Sequence, residues 1–407
     1  HWWRPSGTEV VLDLSRLLGR ANHSTPTGID RVEFVYARTL LERMPDRLSF
    51  AAVHPAGGYY GRLEIGAVRQ FLSFTDARWR HRDAGRHAQV QSSVMKHMWN
   101  LRPRPVPPAN GPRVYLQASP HHLEDQPLTA RILRTEGACF VPLVHDVIPL
   151  THPEFAREGG RAEHLKRMRT IDALADGVIG NSRATVDAIT PHLGERAGRI
   201  VRVAHLGTEW PDHVPESAGL SLDRPYFVCV ATIEPRKNHL LLLNVWRRLA
   251  ETLGDRAPTL VLIGRRGWEN ENAIDMIERC APLAGRVVEA ADMSDRQMQA
   301  ALAGARAMLL PSFAEGFGMP VAEALAAGVP VICSDIPALR EVGGEVPDYL
   351  DPIDGAGWVQ AVVDYLAPDS PRRAAQLKRL AHWTPATWEA HFDGVEELVD
   401  RVAALRC

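Results

Sequence analysis

Short, continuous apolar runs punctuate the chain, each followed by a loop and a longer amphipathic stretch. In the first half they are Val10–Leu14, Leu48–Val53, Val114–Leu116, Cys139–Val144, Gly177–Gly180 and Ile200–Ala204. In the second they are Tyr226–Val230, Thr259–Gly264, Val287–Val288, Ala307–Pro311 and Val329–Cys333. Unbroken rather than alternating hydrophobicity predicts strands buried on both faces, the condition of a parallel sheet covered by helices. The stretches between them read as helices. One runs from about Asp30 to Arg43, capped by Thr27 or Asp30, and one from Phe155 to Ala175. Others begin near Arg183 after Asn181-Ser182, near Asn238, and at Ser294, running to Gly304. Strand and helix alternate about six times in the second half, so the expected class is α/β with doubly wound parallel sheets.

The chain of 407 residues exceeds what one core supports, which predicts two domains. Pro211 to Leu222, with Pro211, Pro215 and Gly219, reads as the linker. The expected division is an amino-terminal domain 1–210, the linker 211–222, a carboxyl-terminal domain 223–384 and a last helix within 385–407. That helix carries Trp388, Phe392, Val395, Leu398 and Val402 at near-helical spacing, a stripe that reads as core.

One segment breaks the alternation. Between Ala77 and Pro108, Arg78, Arg80, Arg82, Arg86, Lys96, Arg102 and Arg104 face only Asp83, with Trp79, Val94, Met95, Met98 and Trp99 interleaved. Cations carrying aromatic companions suit an anionic membrane surface or lipid-linked acceptor; a solvated insertion is the plainer alternative. Pro103, Pro105, Pro107 and Pro108 close it as a stiff connector.

The formal net charge of −2 implies no nucleic-acid partner. The five cysteines are odd in number and form no C-x-x-C pair. Three lie in strand-like runs where cysteine is usually an inert core residue, which fits a reducing, cytoplasmic compartment. No apolar segment reaches membrane-span length and no signal peptide is visible. The start at His1-Trp2-Trp3, without methionine, suggests excision from a longer polypeptide. Seventeen scattered histidines and the lack of Asp-x-Asp give no metal site, so neither cofactor nor metal is expected.

The densest chemistry lies between Ala307 and Asp335. A short strand gives way to Glu315-Gly316-Phe317-Gly318, then to a helix opened by Pro320 that carries Glu323 and ends at Gly328, then to the next strand. Strand, glycine loop, helix and strand form a nucleotide-binding unit, with ligands at the carboxyl ends of the strands. The glycines allow close approach of backbone to ligand. Glu315 would repel a phosphate there, so it and Glu323, with seven residues between them, suggest two hydroxyl-bearing partners, a sugar and a ribose. At the end of an earlier strand, Arg236-Lys237 in Glu234-Pro235-Arg236-Lys237-Asn238 are two adjacent cations placed for a pyrophosphate.

The string EGFGMPVAEALAAGVPVI resembles the E-x7-E signature of retaining nucleotide-sugar glycosyltransferases of the GT-B type, in particular the large fourth family. The resemblance covers nearly the whole chain, strongest from Tyr226 to Glu341 and thin between Phe50 and Gly111. It implies two Rossmann-like domains facing a cleft, with the last helix crossing back to the first domain. It also implies that Glu315 and the Gly316-Phe317-Gly318 backbone meet the donor sugar, that Glu323 binds the ribose, and that Arg236 and Lys237 bind the diphosphate. HDVIPL resembles the family's His-Asp motif, which sets His145 over the sugar and leaves Asp146 to orient His145 or touch the acceptor. TGIDRVE resembles the first-loop motif of a subset in which Gly-Ile-x-Arg replaces Gly-Gly; Gly28 then approaches donor or acceptor, and Ile29 and Arg31 the acceptor. Arg265 in GRRGW joins the donor contacts, and the two strings together lean towards guanosine-diphosphate donors of mannose or a deoxy relative.

The expected function is thus a metal-independent, retaining hexosyltransferase. It would act on a glycan or lipid-linked acceptor in bacterial surface polysaccharide or lipopolysaccharide synthesis, at the inner face of the cytoplasmic membrane. A sugar-nucleotide epimerase of similar architecture and a catalytically silent nucleotide-sugar-binding subunit are the alternatives. A dinucleotide oxidoreductase fits poorly, because Val321 stands where G-x-G-x-x-G needs its third glycine.

Overall fold

A computed structural model describes residues 7–23, 25–80, 87–214, 217–220 and 222–406. The chain forms two compact units. The first comprises residues 1–150, 161–206 and 389–407; the second comprises 151–160 and 207–388.

The first unit holds a seven-stranded sheet. In chain order its strands are β1 (Glu9–Asp13), β2 (Leu48–Val53), β3 (Tyr60–Leu63), β4 (Arg113–Gln117), β5 (Cys139–Val144), β6 (Gly177–Gly180) and β7 (Ile200–Val203). They lie in the order β3-β2-β1-β4-β5-β6-β7, parallel except for β3, which runs antiparallel to β2. All five residues of β1 and all six of β5 are buried, as sheets covered on both faces require.

The short β3 was not visible as an apolar run, because its Tyr-Gly-Arg-Leu sequence lacks one. Tyr60 and Arg62 turn instead to a buried ion network at the starts of the strands. Arg62 and Arg113 meet Glu9 at 2.7 and 2.6 Å, and Arg62 meets Glu136 at 2.7 Å. The Tyr60 hydroxyl donates to Glu136 at 2.6 Å. The outer side of β3 is occupied by the proline-rich connector: Arg62 and Arg104 exchange both backbone hydrogen bonds, at 2.9 and 2.7 Å. An otherwise unpaired edge is thereby covered.

The basic segment is helical rather than loose. Helices Ile65–Arg80 and His87–Asn100 span most of it; Arg82, Asp83 and Arg86 lie outside the described residues. Trp79 packs on Phe34 with ring centroids 5.1 Å apart, and Val94 is buried. Arg78 donates to the carbonyls of Ala21 and Asn22, and Arg80 pairs with Asp76. Met95 and Trp99, one helical turn apart, stay 72% and 65% exposed.

The second unit holds β8 (Tyr226–Val230), β9 (Thr259–Ile263), β10 (Val287–Ala290), β11 (Met308–Leu310), β12 (Val331–Ser334) and β13 (Asp348–Leu350). All are parallel, in the order β10-β9-β8-β11-β12-β13. This is the doubly wound order whose strand succession reverses between β8 and β11, the place where such sheets bind ligands.

The last helix, Trp388–Arg406, belongs to the first unit from Glu389 onward. Phe392, Val395, Leu398 and Val402 are buried there, as their spacing predicts. His391 fixes the helix in place. Its Nε2 accepts from the Tyr36 hydroxyl at 2.7 Å, while Nδ1–H faces the carbonyls of His205 and Ala204 at 3.0 and 3.2 Å.

Two expectations need correction. The helix expected from Phe155 begins only at Gly160, after Gly159 at φ 77°. Residues 151–160 belong to the second unit, where Phe155 stacks on Phe313 with centroids 5.0 Å apart and planes 11° apart. Cys139, expected as an inert core thiol, is disulfide-bonded, whereas Cys229, Cys280 and Cys333 are free.

Candidate active site

In the second unit the loops leaving β8 and β11 meet at the point where strand order reverses. The β8 loop passes through Glu234 into a single 3-10 turn, Pro235–Lys237, and Asn238 follows in the left-handed conformation at φ 57°. Its side chain steadies that strained residue by donating to the carbonyls of Pro311 and Pro352 at 3.1 and 2.8 Å. The Phe313 N–H donates to the Arg236 carbonyl at 2.9 Å, which locks the two loops in register.

Glu315 is the centre of what this register brings together. Its side chain is 6% exposed. Oε1 accepts from Lys237 Nζ at 2.5 Å and from the Ser312 hydroxyl at 2.7 Å, and Oε2 accepts from Arg236 at 2.9 Å. Arg236 also donates to Glu234 at 2.7 Å and to the Ala314 carbonyl at 2.9 Å. Burial by itself would raise the Glu315 carboxyl; Lys237 and Arg236, with the Lys237 and Ser312 hydrogen bonds, overcome it and hold the group at about 2. The carboxylate is therefore ionised at neutral pH and acts only as an acceptor. Sequence reading gave Arg236 and Lys237 to the diphosphate and Glu315 to the sugar. The structure joins them in one ion cluster with Glu234 and Ser312, whose only signal was their place beside the motif residues.

The rest of the motif sits as its strand–loop–helix pattern predicts. Gly318 takes φ 96°, and a Cβ there would come within 2.5 Å of Leu339 Cδ2, so both backbone and packing demand glycine. Gly316 and Phe317 are buried before it. Helix Met319–Ala326 has Pro320 in its first turn and carries Glu323, half-buried, on its second. Arg265 is exposed directly after β9.

In the first unit His145 follows β5. Its Nε2 donates to the Ala118 carbonyl at 2.7 Å, so the neutral ring keeps its lone pair on Nδ1. Burial depresses its pKa, against the upward pull of the Ala118 hydrogen bond and of Asp146. The His145 carbonyl is itself held by Asn181 Nδ2 at 2.9 Å and the Thr185 hydroxyl at 3.3 Å. The ring is oriented by Ala118 and not by Asp146, whose Oδ1 accepts from the Ile148 N–H at 3.1 Å. Ala118 carries no side-chain chemistry, so nothing in its sequence context marked it.

Gly28, Ile29 and Arg31 lie in the first turn of helix Gly28–Arg43. Thr27 is the cap and Asp30 its reciprocal partner in a capping box. Asp30 also takes Arg16 at 2.6 Å and Arg20 at 2.8 Å, and these pull its carboxyl below the usual range despite burial. Asp13 and Glu33 are buried in the same unit with raised pKa, through burial first and, for Glu33, the nearby Asp13. Among the described residues no group of three or more His, Cys, Asp or Glu is placed to hold a metal ion.

The profile of the glycosyl transferases group 1 family matches residues 212–345, which span β8 to β12 and contain the whole Glu315 cluster. Within the second unit, residues 212–345 are thus similar to the group 1 glycosyltransferases. O-antigen chain mannosyltransferase B of Escherichia coli is 29% identical to this chain over 305 residues, 72% of this chain and 74% of the relative. The serotype-specific mannosyltransferase WbdA of Escherichia coli is 28% identical over 253 residues. That match covers 58% of this chain but only 31% of WbdA, so the chain spans under a third of that relative. Among solved structures, Anabaena Alr3699/HepE in complex with UDP superposes with a TM-score of 0.54 at 16% identity, covering 97% of this chain and 99% of that one. At that identity the likeness establishes the fold, the two-domain GT-B architecture.

Proposed function

We propose that the protein transfers a hexosyl group, mannose or a deoxy relative, from a nucleotide diphosphate sugar to a glycan or lipid-linked acceptor of a bacterial surface polysaccharide. The observation that carries this reading is the Glu315 cluster, an ionised carboxylate held by two cations where the β8 and β11 loops meet. An ionised, acceptor-only group suits sugar hydroxyls. Arg236 and Lys237, which balance Glu315 in the free protein, suit the diphosphate and the charge that develops on it as it departs. The mannosyltransferase names of the relatives support the sugar, and the UDP held by a protein of this fold supports the nucleotide diphosphate.

Transfer retains the anomeric configuration. Glu315 is committed to its two cations and to sugar hydroxyls, Glu323 is assigned to the ribose, and Asp146 accepts from the Ile148 N–H, so none of the carboxylates assigned to the site is given the role of nucleophile. The departing phosphate then takes the acceptor's proton on the face it leaves, while neutral His145 positions the sugar. The reaction proceeds without a divalent metal, because Arg236 and Lys237 supply the positive charge. Gly28, Ile29 and Arg31 are assigned to the loop that meets donor or acceptor. The exposed Met95 and Trp99, with Lys96, Arg102 and Arg104 nearby, give peripheral contact with the inner face of the cytoplasmic membrane; among the described residues no helix is long and apolar enough to cross one.

Proton NMR of the first product from an α-linked donor, with and without excess chelator, tests the reading. An α-linked product at an undiminished rate is expected. A β-linked product removes the retaining assignment, and activity lost to chelator and restored by magnesium or manganese removes metal independence.

A further inference from the structure

Among the large apolar side chains, Trp268 is left 42% exposed on a segment that is otherwise firmly held. Directly after β9 the chain continues its parallel pairing with the β8 loop. The Ile233 N–H donates to the Arg265 carbonyl at 2.8 Å, and the Gly267 N–H donates back to the Ile233 carbonyl at 2.9 Å. Asn270 Nδ2 reaches the same carbonyl at 2.8 Å. Arg266 is fixed from the other side by Glu278 at 2.5 Å and Glu289 at 2.8 Å. The approach is close enough that a Cβ on Gly264 would lie 2.0 Å from the Ala231 carbonyl oxygen.

Backbone strain accompanies this rigidity. Among the described residues only His122, Asn238 and Glu269 are non-glycine residues at positive φ. Asn238 follows the Arg236-Lys237 pair and Glu269 follows Trp268. Strain of this kind persists where surrounding bonds over-determine it, and it clusters at ligand sites. The segment bearing Trp268 is thus stapled to Ile233, three residues from Arg236, at the carboxyl end of the strand beside β8. Neighbouring strands lie about 4.8 Å apart. A nucleoside attached to a diphosphate at Arg236 and Lys237 reaches the end of β9 within its own length.

We infer that Trp268 is the stacking platform for the nucleobase of the donor, a residue that sets nucleotide affinity without touching the diphosphate or the transferred sugar. The inference rests on the glycosyltransferase reading above. A rigid indole on a pre-formed loop offers a large π-face at little entropic cost, and stacking tolerates either base.

Calorimetric titration of the full chain with GDP, UDP and inorganic pyrophosphate tests it, using W268A, W268L and W268F. In W268A and W268L, affinity for both nucleotides is expected to fall at least tenfold while pyrophosphate binding stays within twofold of wild type. W268F is expected to keep nucleotide affinity within about threefold. The inference is overturned if W268A and W268L bind GDP and UDP as wild type does, or lose pyrophosphate by the same factor, which would make Trp268 a support for the Arg236 loop. A wild type that binds pyrophosphate but neither nucleotide overturns this inference alone. A wild type that binds none of the three overturns the glycosyltransferase reading with it.

Discussion

Lys237 Nζ lies 2.5 Å from Glu315 Oε1, although the two residues are 78 positions apart and arrive on loops from different strands. With Arg236 on the other carboxylate oxygen, the pair makes a site already charge-balanced before any donor binds. An incoming diphosphate then draws on cations that Glu315 has been holding in place.

Removing that carboxylate should therefore weaken the fold and the site together. Glu315→Ala is expected to lower stability by about 1.5–3 kcal/mol, the loss of charged hydrogen bonds to buried Lys237 and half-buried Arg236. A saturating nucleotide diphosphate should restore part of it by supplying new anions. Urea denaturation with and without GDP measures both effects. Wild-type stability in the variant would mean that the cluster does not hold the loops.

Glu323 should behave differently, because it lies on the helix beyond the cluster. Glu323→Ala is expected to weaken nucleotide diphosphate binding about ten- to a hundredfold, and Glu315→Ala to reduce turnover more than binding. Calorimetry alongside a transfer assay separates the two. Negligible change in both would show that the motif glutamates contact neither ribose nor sugar.

His391 predicts a pH dependence. Burial pushes its pKa down to about 4, so the unfolded chain binds a proton there that the folded chain refuses. Its stabilising contribution is whole above the unfolded value of about 6.5 and is lost as pH falls towards 4. Protonation of Nε2 would leave it unable to accept from Tyr36. Relative to His391→Gln, wild-type stability should fall by an extra ~1.4 kcal/mol per pH unit inside that window. Measuring the difference cancels the opposing effect of Asp13 and Glu33, whose raised pKa values favour the fold as pH falls. Parallel curves for the two proteins would exclude His391 as the titrating group.

The helix His87–Asn100 is expected to bind anionic bilayers. Met95 and Trp99 stand exposed, the Arg102 guanidinium lies 3.5 Å from the Trp99 ring centroid, and no acidic residue occurs from His87 to Arg113. Sedimentation with phosphatidylglycerol vesicles should carry the protein down at low salt, less so at high salt, and less so for a Met95→Ser, Trp99→Ala variant. Equal behaviour with neutral vesicles would return the segment to a solvated surface.

The sequence by itself determined the strand–helix alternation, because buried parallel strands must be continuously apolar and leave that mark on the chain. It also marked the Glu315–Glu323 loop and the Arg236-Lys237 pair, where glycines, cations and carboxylates stand within a few residues of a strand end. Even the cap of helix Gly28–Arg43 was legible, since Thr27 and Asp30 are three residues apart.

Only the tertiary structure decided which of those groups touch. Glu315 meets Lys237, Arg62 meets Glu136, and His391 meets Tyr36 across separations of 78, 74 and 355 residues. No local periodicity encodes such pairs; they exist because strand order reverses between β8 and β11, because β3 turns back along β2, and because the last helix returns to the first unit. Orientation by a backbone group, as Ala118 orients His145, leaves no side-chain signature at all. The start of the Gly160 helix is set locally by Gly159 at φ 77°, while the placement of Phe155 before it, stacked on Phe313, is a tertiary outcome.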